Sequence, residues 1–248
     1  LSHYEIFARL CAARGRIRPL AVVPVENSSE GPVTQTLDQL AHHPRVTILD
    51  SFSLPVQQHL LARPGTTLAR IRRVCSHPQA LGQCRATLAR LLPKAELIPE
   101  ASTSAAARRA AQEDGTAAIA SETAARLHGL AVLRPDVQDG GENVTRFFTL
   151  SADAAARPRR AKDAELRSLI HLVIGNRPGA LLHVLAPFDA SGVNLTFIQS
   201  RPLPGRPWEY GFFIEAVTDW KSAPARAAWK MVCALSESGR KIGTYPVG

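Results

Sequence analysis

From residue 71 to residue 130 the chain alternates short apolar runs with helical periods, and this alternation limits the fold more than any other feature. Residues 71–76, 96–99 and 117–120 are each the length of a strand, and each hands over to a helix-start residue: Pro78, Ser102 or Thr103, and Ser121. A strand that repeatedly feeds a helix predicts a parallel sheet covered by helices.

Upstream, Ile6, Phe7, Leu10 and Cys11 have helical spacing over residues 4–14, and residues 20–25 read as a buried strand. A helix restarts over 33–40. Strands are expected over 46–54 and 56–61, where Gln57 and Gln58 interrupt the apolar pattern, and Pro64-Gly65 punctuates the chain. The helix opened by Pro78 is predicted to run to about residue 92. Residues 151–162 lack apolar periodicity and read as a linker. Beyond it the pattern gives strand 168–174, helix 179–190, strands 193–199 and 210–217, helix 223–235 and strand 241–245. That βαββαβ order is a compact ferredoxin-like unit.

With 248 residues, 45% of them hydrophobic, the chain can fill one large or two ordinary domains. The net charge of +9 comes from arginines scattered along helical stretches, without the clustered stripe or aromatic-basic motif that nucleic-acid binding needs. A small anionic substrate remains compatible with it. No apolar run approaches a membrane span of roughly 18 to 20 residues, so a cytoplasmic protein is expected. Cys11, Cys75, Cys84 and Cys233 lack paired spacing for zinc or redox work, and all four are expected to be buried thiols. The chain opens on Leu1 and its only methionine is Met231, which reads as a fragment or a trimmed chain.

Two stretches carry the chemistry. Val23-Pro24-Val25-Glu26-Asn27-Ser28-Ser29-Glu30-Gly31 and Asp139-Gly140-Gly141-Glu142-Asn143-Val144-Thr145-Arg146-Phe147 each join an apolar run to a polar loop. They offer amides, hydroxyls and one cation, and lack the equipment of covalent or metal catalysis. Such a site binds a small anion and donates protons. Locally, Glu26-Asn27-Ser28 also reads as a helix cap, with Glu30 close to a capping-box position. Ser76-His77-Pro78-Gln79-Ala80-Leu81 and Ser102-Thr103 read as helix starts, and Thr145-Arg146-Phe147 as the start of a strand. No Gly-x-Ser-x-Gly elbow, glycine-rich nucleotide loop or metal-ligand spacing is present.

The Thr145-Arg146-Phe147 triplet, with Asp139 and Asn143 in register before it, resembles the prephenate dehydratase family. So do the His-Pro-Gln-Ala-Leu run at 77–81 and the Ser-Thr pair at 102–103. Asn194-Leu195-Thr196-Phe197-Ile198-Gln199-Ser200-Arg201-Pro202, Trp208-Glu209-Tyr210 and Gly243-Thr244-Tyr245-Pro246 are similar to the ACT regulatory domain that follows such enzymes. The pattern departs at His128, Phe148, Phe197 and Gln199, where an aromatic, an aliphatic or tryptophan, a basic residue and a glutamate are usual. A Gly-Thr-Phe-Ser segment usual near the start does not precede Leu1. A missing first strand and poor activity of this chain are therefore expected.

The resemblance implies an α/β fold: a two-lobed, periplasmic-binding-protein-like dehydratase domain over 1–152, then a linker over 153–163 and a ferredoxin-like βαββαβ ACT domain over 164–248. Lobe one would be about 1–58 with 146–152, and lobe two about 59–145, with the site in the cleft between them. The implied activity is prephenate dehydration to phenylpyruvate in L-phenylalanine biosynthesis, with feedback by phenylalanine and no cofactor or metal. Arogenate dehydration and an inactive amino-acid-sensing protein are the alternatives. Thr145 and Arg146 would be catalytic; Asn27, Ser28, Ser102, Thr103, Asn143 and Phe147 would bind substrate; Glu26, His77 and Gln79 would support them. Phenylalanine would bind across a homodimer or tetramer interface at Gly179, Ala180, Leu181 and Leu182 of one chain and Asn194, Leu195, Gln199, Ser200 and Arg201 of another. No nucleic-acid or membrane partner is expected.

Overall fold

The computed structural model describes residues 2–13, 18–140, 143–158 and 164–247. The chain divides into two compact units, Leu1–Leu54 with Thr145–Gly248, and Pro55–Val144.

The first unit opens with α1 (His3–Ala12), where Ser2 accepts from the Glu5 amide and the Glu5 carboxylate accepts from Ser2 N, a reciprocal cap that fixes the helix start. β1 (Ala21–Asn27), β2 (Gly31–Pro32), α2 (Thr34–His42) and β3 (Thr47–Pro55) follow. β1 thus extends two residues past the expected strand end, through Glu26 and Asn27. The helix cap expected at Glu26-Asn27-Ser28 is instead a turn between β1 and β2, in which the Asn27 side-chain oxygen accepts from Ser29 N and Glu30 N at 2.9 and 3.2 Å. An asparagine bonding to amides two and three residues on competes with helix initiation and closes a turn here.

The second unit contains β4 (His59–Ala62), a single 3-10 turn at Leu68–Arg70, β5 (Arg73–Ser76), α3 (Pro78–Gln83), α4 (Arg85–Leu91) and β6 (Glu96–Pro99). It continues through α5 (Thr103–Gln112), β7 (Thr116–Ala120), α6 (Glu122–His128) and β8 (Ala131–Arg134). Its sheet, ordered β6-β5-β7-β4-β8, is mixed: β5 pairs parallel with β6 and β7, whereas β4 pairs antiparallel with β7 and β8. The wholly parallel sheet expected from the alternation holds only where a helix joins consecutive strands. β4 precedes the first crossover and inserts beside β7, its four residues all buried. The single helix expected over 78–92 is two, broken at Cys84. The break is capped from outside: the Asp139 carboxylate accepts from the amides of Ala86 and Thr87 at 2.5 and 2.6 Å, at the start of α4. Burial opposes ionisation of Asp139, but these two amides outweigh it and hold the carboxyl below its usual range.

The chain returns to the first unit through β9 (Val144–Ser151), then β10 (Leu166–Val173), α7 (Ala180–Ala190), β11 (Leu195–Leu203), β12 (Arg206–Val217), α8 (Ala223–Leu235) and β13 (Ser238–Pro246). β9 lies between β1 and β3 in a sheet ordered β2-β1-β9-β3. The last four strands form an antiparallel sheet, β11-β12-β10-β13, in the expected βαββαβ order. Of the linker stretch, residues 159–163 lie outside the described residues.

One face of the C-terminal sheet is covered by α7 and α8. Its other face shares a core with the first sheet: Val23, Ile48 and Phe148 pack with Leu169, Phe213 and Tyr245. The Phe148 and Tyr245 rings lie 5.2 Å apart. Gly243 marks the closest approach, since a Cβ there would stand 2.8 and 2.9 Å from the Ile48 backbone oxygen and nitrogen. Backbone cannot retreat as a side chain can, so Gly243→Val is expected to destabilise this unit by about 2 kcal/mol, as overpacking typically does. Chemical denaturation followed by fluorescence measures it, and an unchanged midpoint would contradict the packing described.

The cysteines correct the expectation of four buried thiols. Cys75 and Cys84 are buried, Cys11 is half-buried and Cys233 is exposed, all of them free. Burial, with the neighbouring Asp139 charge, pushes the Cys84 thiol up to about 12, which leaves it inert.

Candidate functional site

Thr145 is the second residue of β9, buried at 8% exposure and paired in register with Asn27 on β1. The Asn27 side-chain nitrogen donates to Thr145 Oγ1 at 2.9 Å. The turn fixes the sense of that bond: Asn27 Oδ1 is held by two backbone amides, so its NH2 group faces the threonine. Thr145 therefore accepts from Asn27 and keeps its own O–H for another acceptor. This is a hydrogen-bond donor set in a buried strand end.

Side chains alternate across a strand, so Arg146 leaves β9 on the opposite face from Thr145 and Phe147. Phe147, on the Thr145 face, stacks on Phe52 of β3 with ring centroids 5.7 Å apart. Arg146 is turned inward. Its Nη2 pairs with Glu26 Oε2 at 2.9 Å, and its Nη1 lies 2.8 Å from both carboxylate oxygens of Glu215 on β12. The motif's cation thus has its guanidinium paired with two protein carboxylates, those of Glu26 and Glu215. Glu215 is fully buried and also accepts from Thr196 Oγ1 (2.6 Å), Tyr245 OH (2.6 Å) and Arg167 Nη1 (3.2 Å). Burial by itself would raise the Glu215 carboxyl, but the Arg146 charge and these bonds outweigh it and hold the group below its ordinary value. Burial and the Glu215 charge push the Tyr245 phenol well above its usual range, so it stays a donor.

The sequence reading missed Glu215. The available signal was a single carboxylate within the otherwise apolar run Gly211-Phe212-Phe213-Ile214-Glu215-Ala216-Val217 of a central strand, a position that demands cationic partners.

In the second unit, Ser102 caps α5 by accepting from Ala105 N at 3.0 Å, and Thr103 is the first helical residue. His77 and Gln79 lie at the start of α3, with no capping bond from His77. Asn143 donates to Gln83 Oε1 at 3.3 Å and its carbonyl accepts from Val56 N at 2.7 Å. Gly141 and Glu142 of the motif lie outside the described residues. Ser28 follows Asn27 in the β1–β2 turn of the first unit.

The residues nominated for an effector fall in two places. Gly179 adopts φ +78° and caps α7; a Cβ there would meet His183, and glycine meets the left-handed backbone without strain. Ala180 and Leu181 line a surface pocket with Arg177, Trp208, Tyr210 and Phe212, while Leu182 is exposed. Asn194 immediately precedes β11; Leu195, Gln199, Ser200 and Arg201 lie along it, and none of these five lines that pocket. Arg201 has a partner within the chain. Its guanidinium forms a bidentate pair with Asp38 of α2, at 2.7 and 2.6 Å. Gln199 donates to the Ser200 carbonyl at 2.9 Å. Among the described residues, no group of three or more His, Cys, Asp or Glu could hold a metal ion.

A family model described as prephenate dehydratase matches residues 5–155. A bifunctional chorismate mutase/prephenate dehydratase of Stutzerimonas stutzeri is 35% identical over 242 residues, which is 98% of this chain and 64% of that protein. The chain thus spans somewhat less than two thirds of that relative's length. A solved prephenate dehydratase from Arthrobacter aurescens, in complex with L-Phe, superposes with TM-score 0.81 at 35% identity, covering 92% of this chain and 74% of that one. A structure described as GqqA, a novel type of quorum quenching acylase, superposes with TM-score 0.86 at 29% identity, covering 98% of this chain and 86% of that one. With the mixed α/β fold and the Asn27–Thr145 pair in place, the match over more than half its length shows that this chain belongs to the prephenate dehydratase family.

Proposed function

We propose that the chain catalyses the decarboxylating dehydration of prephenate to phenylpyruvate, and that the observation carrying this reading is the Thr145 hydroxyl, its acceptor side held by Asn27 and its proton free to donate. Prephenate loses carbon dioxide from its ring carboxylate as its ring hydroxyl departs, and the electron pair of the broken C–C bond completes the aromatic ring. Aromatisation supplies the drive, so the catalyst mainly assists a poor leaving group. A positioned hydroxyl suffices. Asn27, Ser28, Ser102, Thr103, Asn143 and Phe147 bind the substrate in this reading. Glu26, His77 and Gln79 support them, and Arg146 acts by fixing the Glu26 turn. No cofactor is required.

In the same reading, residues 1–58 with 146–152 and residues 59–145 are the two lobes of a periplasmic-binding-protein-like dehydratase domain, and residues 164–248 are an ACT domain that takes L-phenylalanine. Arg177 offers a cation for a carboxylate, and Leu181, Tyr210 and Phe212 offer apolar surface for a ring. The β11 group, which stands apart from that pocket, would come from a second subunit, so the protein is at least a homodimer.

The likeness to GqqA favours a second reading, an acylase. Acyl transfer needs a nucleophile with a base to take its proton. The described partner of Thr145 is an amide NH2, which cannot take one, so dehydration is the better fit. Phenylpyruvate formation from prephenate by the full-length protein, run beside hydrolysis of a chromogenic acyl amide, tests the choice; acyl cleavage without phenylpyruvate would reverse it. L-Phenylalanine is expected to inhibit, and Gln199→Glu to lower the half-inhibitory concentration several-fold, because charge assistance strengthens a partly buried hydrogen bond by about 1 kcal/mol. Unaltered inhibition in Gln199→Glu would remove Gln199 from the effector contacts.

A further inference from the structure

Five side chains from two sheets converge on one buried point. Glu215 on β12 is gripped by Arg146 from β9, Arg167 from β10, Thr196 from β11 and Tyr245 from β13. Arg146 continues the chain to Glu26, and the Glu26–Arg146 pair in the β1–β9 ladder stands next to the Asn27–Thr145 pair. The Thr145 strand end is therefore held from below by a carboxylate that the C-terminal sheet supplies.

Thr196 reaches Glu215 by a local irregularity. Leu195 pairs with Ala216 and Phe197 with Glu215, so Thr196 is an extra residue in β11 without a partner across the ladder. A bulge of this kind re-aims a side chain. Thr196 lies at the surface, yet its hydroxyl turns inward to Glu215 Oε1. Its sequence neighbours on one side are Asn194 and Leu195.

We propose that Glu215 is a positioning residue for the reaction, and that Thr196 and Glu215 tie the effector strand β11 to the strand that carries Thr145. The proposal rests on the reading of Thr145 as the donor and of Asn194 and Leu195 as effector contacts. A ligand that displaces β11 changes a bond on Glu215, and Glu215 can answer only through groups already bonded to it. The hydrogen-bonded one that leads to the site is Arg146, which goes on to Glu26 beside Asn27. Arg167 ends on Glu165, and Tyr245 meets the same strand only by ring contact, with Phe148.

The test is steady-state kinetics of the full-length protein with and without L-phenylalanine, accompanied by calorimetric binding of L-phenylalanine. Thr196→Val is expected to keep kcat without phenylalanine within about twofold of wild type and to weaken inhibition by about fivefold or more, the lower range of typical coupling between sites. Thr196→Ser restores the hydroxyl and is expected to restore inhibition. Glu215→Gln is expected to lower kcat by about tenfold with a smaller change in KM, and adding Thr196→Val to it should change inhibition no further. Should Glu215→Gln fail to fold, the Val and Ser variants still decide. Wild-type inhibition in Thr196→Val with a folded protein would overturn the coupling alone. A wild-type enzyme that makes phenylpyruvate but neither binds phenylalanine nor is inhibited by it would overturn the effector reading, and the coupling with it.

Discussion

Thr145→Ala is expected to lower prephenate turnover by about a hundredfold or more while changing substrate affinity much less. A donor to the departing hydroxyl makes its strongest bond when negative charge has built on that oxygen, so its loss falls on kcat. Threonine is a very weak acid, and in the proposed role it would act through direction: the Asn27 NH2 group occupies its acceptor side at 2.9 Å and leaves the proton to point away. Thr145→Ser keeps the hydroxyl and should retain part of the rate. Asn27→Asp separates direction from mere presence. An aspartate can still take the Ser29 and Glu30 amides and close the turn. Its second oxygen, however, accepts, and would draw the Thr145 proton toward itself, so turnover should fall toward the alanine level in a folded protein. Steady-state kinetics showing wild-type kcat in Thr145→Ala would remove Thr145 from the chemistry. Wild-type kcat in Asn27→Asp would show that the orientation of the hydroxyl is immaterial.

How far the sequence revealed this site depends on the range of the interaction concerned. The βαββαβ order was legible, because period and caps are local: the helix expected over 223–235 is α8 (Ala223–Leu235), with Ser222 accepting from Ala225 N. Ser102 and Ser121 likewise cap α5 and α6. What local reading missed was decided by distant partners. The helix over 78–92 breaks where Asp139, more than fifty residues on, supplies its carboxylate. Cys84 sits at that break. The strand rhythm could not show that β4, formed before any crossover, inserts beside β7 and makes the sheet mixed. Asn27 reads locally as a helix cap, and only its bonds to the Ser29 and Glu30 amides make it a turn. Arg146 was recognisable as the motif's cation from its neighbours, but its partner Glu215 lies 69 residues away and on another sheet. Periodicity places a side chain on a face. It does not say what faces it.

The second large effect concerns stability and follows from that pair. Arg146→Met is expected to destabilise the protein by about 3 kcal/mol at neutral pH, because it leaves Glu215 buried with one cation fewer. The side chains at stake are 12% and 0% exposed, so solvent can do little to compensate. Arg167, Thr196 and Tyr245 remain, and they keep the loss at the low end for breaking a buried pair. The pH dependence gives the sharper test. Glu215 has a folded pKa below its unfolded value, so it contributes stability above the unfolded value, about 4.3 for glutamate, and loses it as pH falls through the folded one. Without Arg146, burial acts against fewer opposing groups and the folded pKa rises. The variant then tolerates protonation of Glu215 better than wild type does, and the stability gap between the two should be widest above about pH 5 and narrow as the carboxylate titrates below about pH 4. Adding Glu215→Gln to Arg146→Met removes the uncompensated charge and should recover part of the loss, a coupling that a double-mutant cycle measures directly. A gap that stays constant from pH 7 to pH 4 by denaturant unfolding would mean that Arg146 stabilises by packing against Phe148, over whose ring its guanidinium lies at 5.7 Å, and not by its charge.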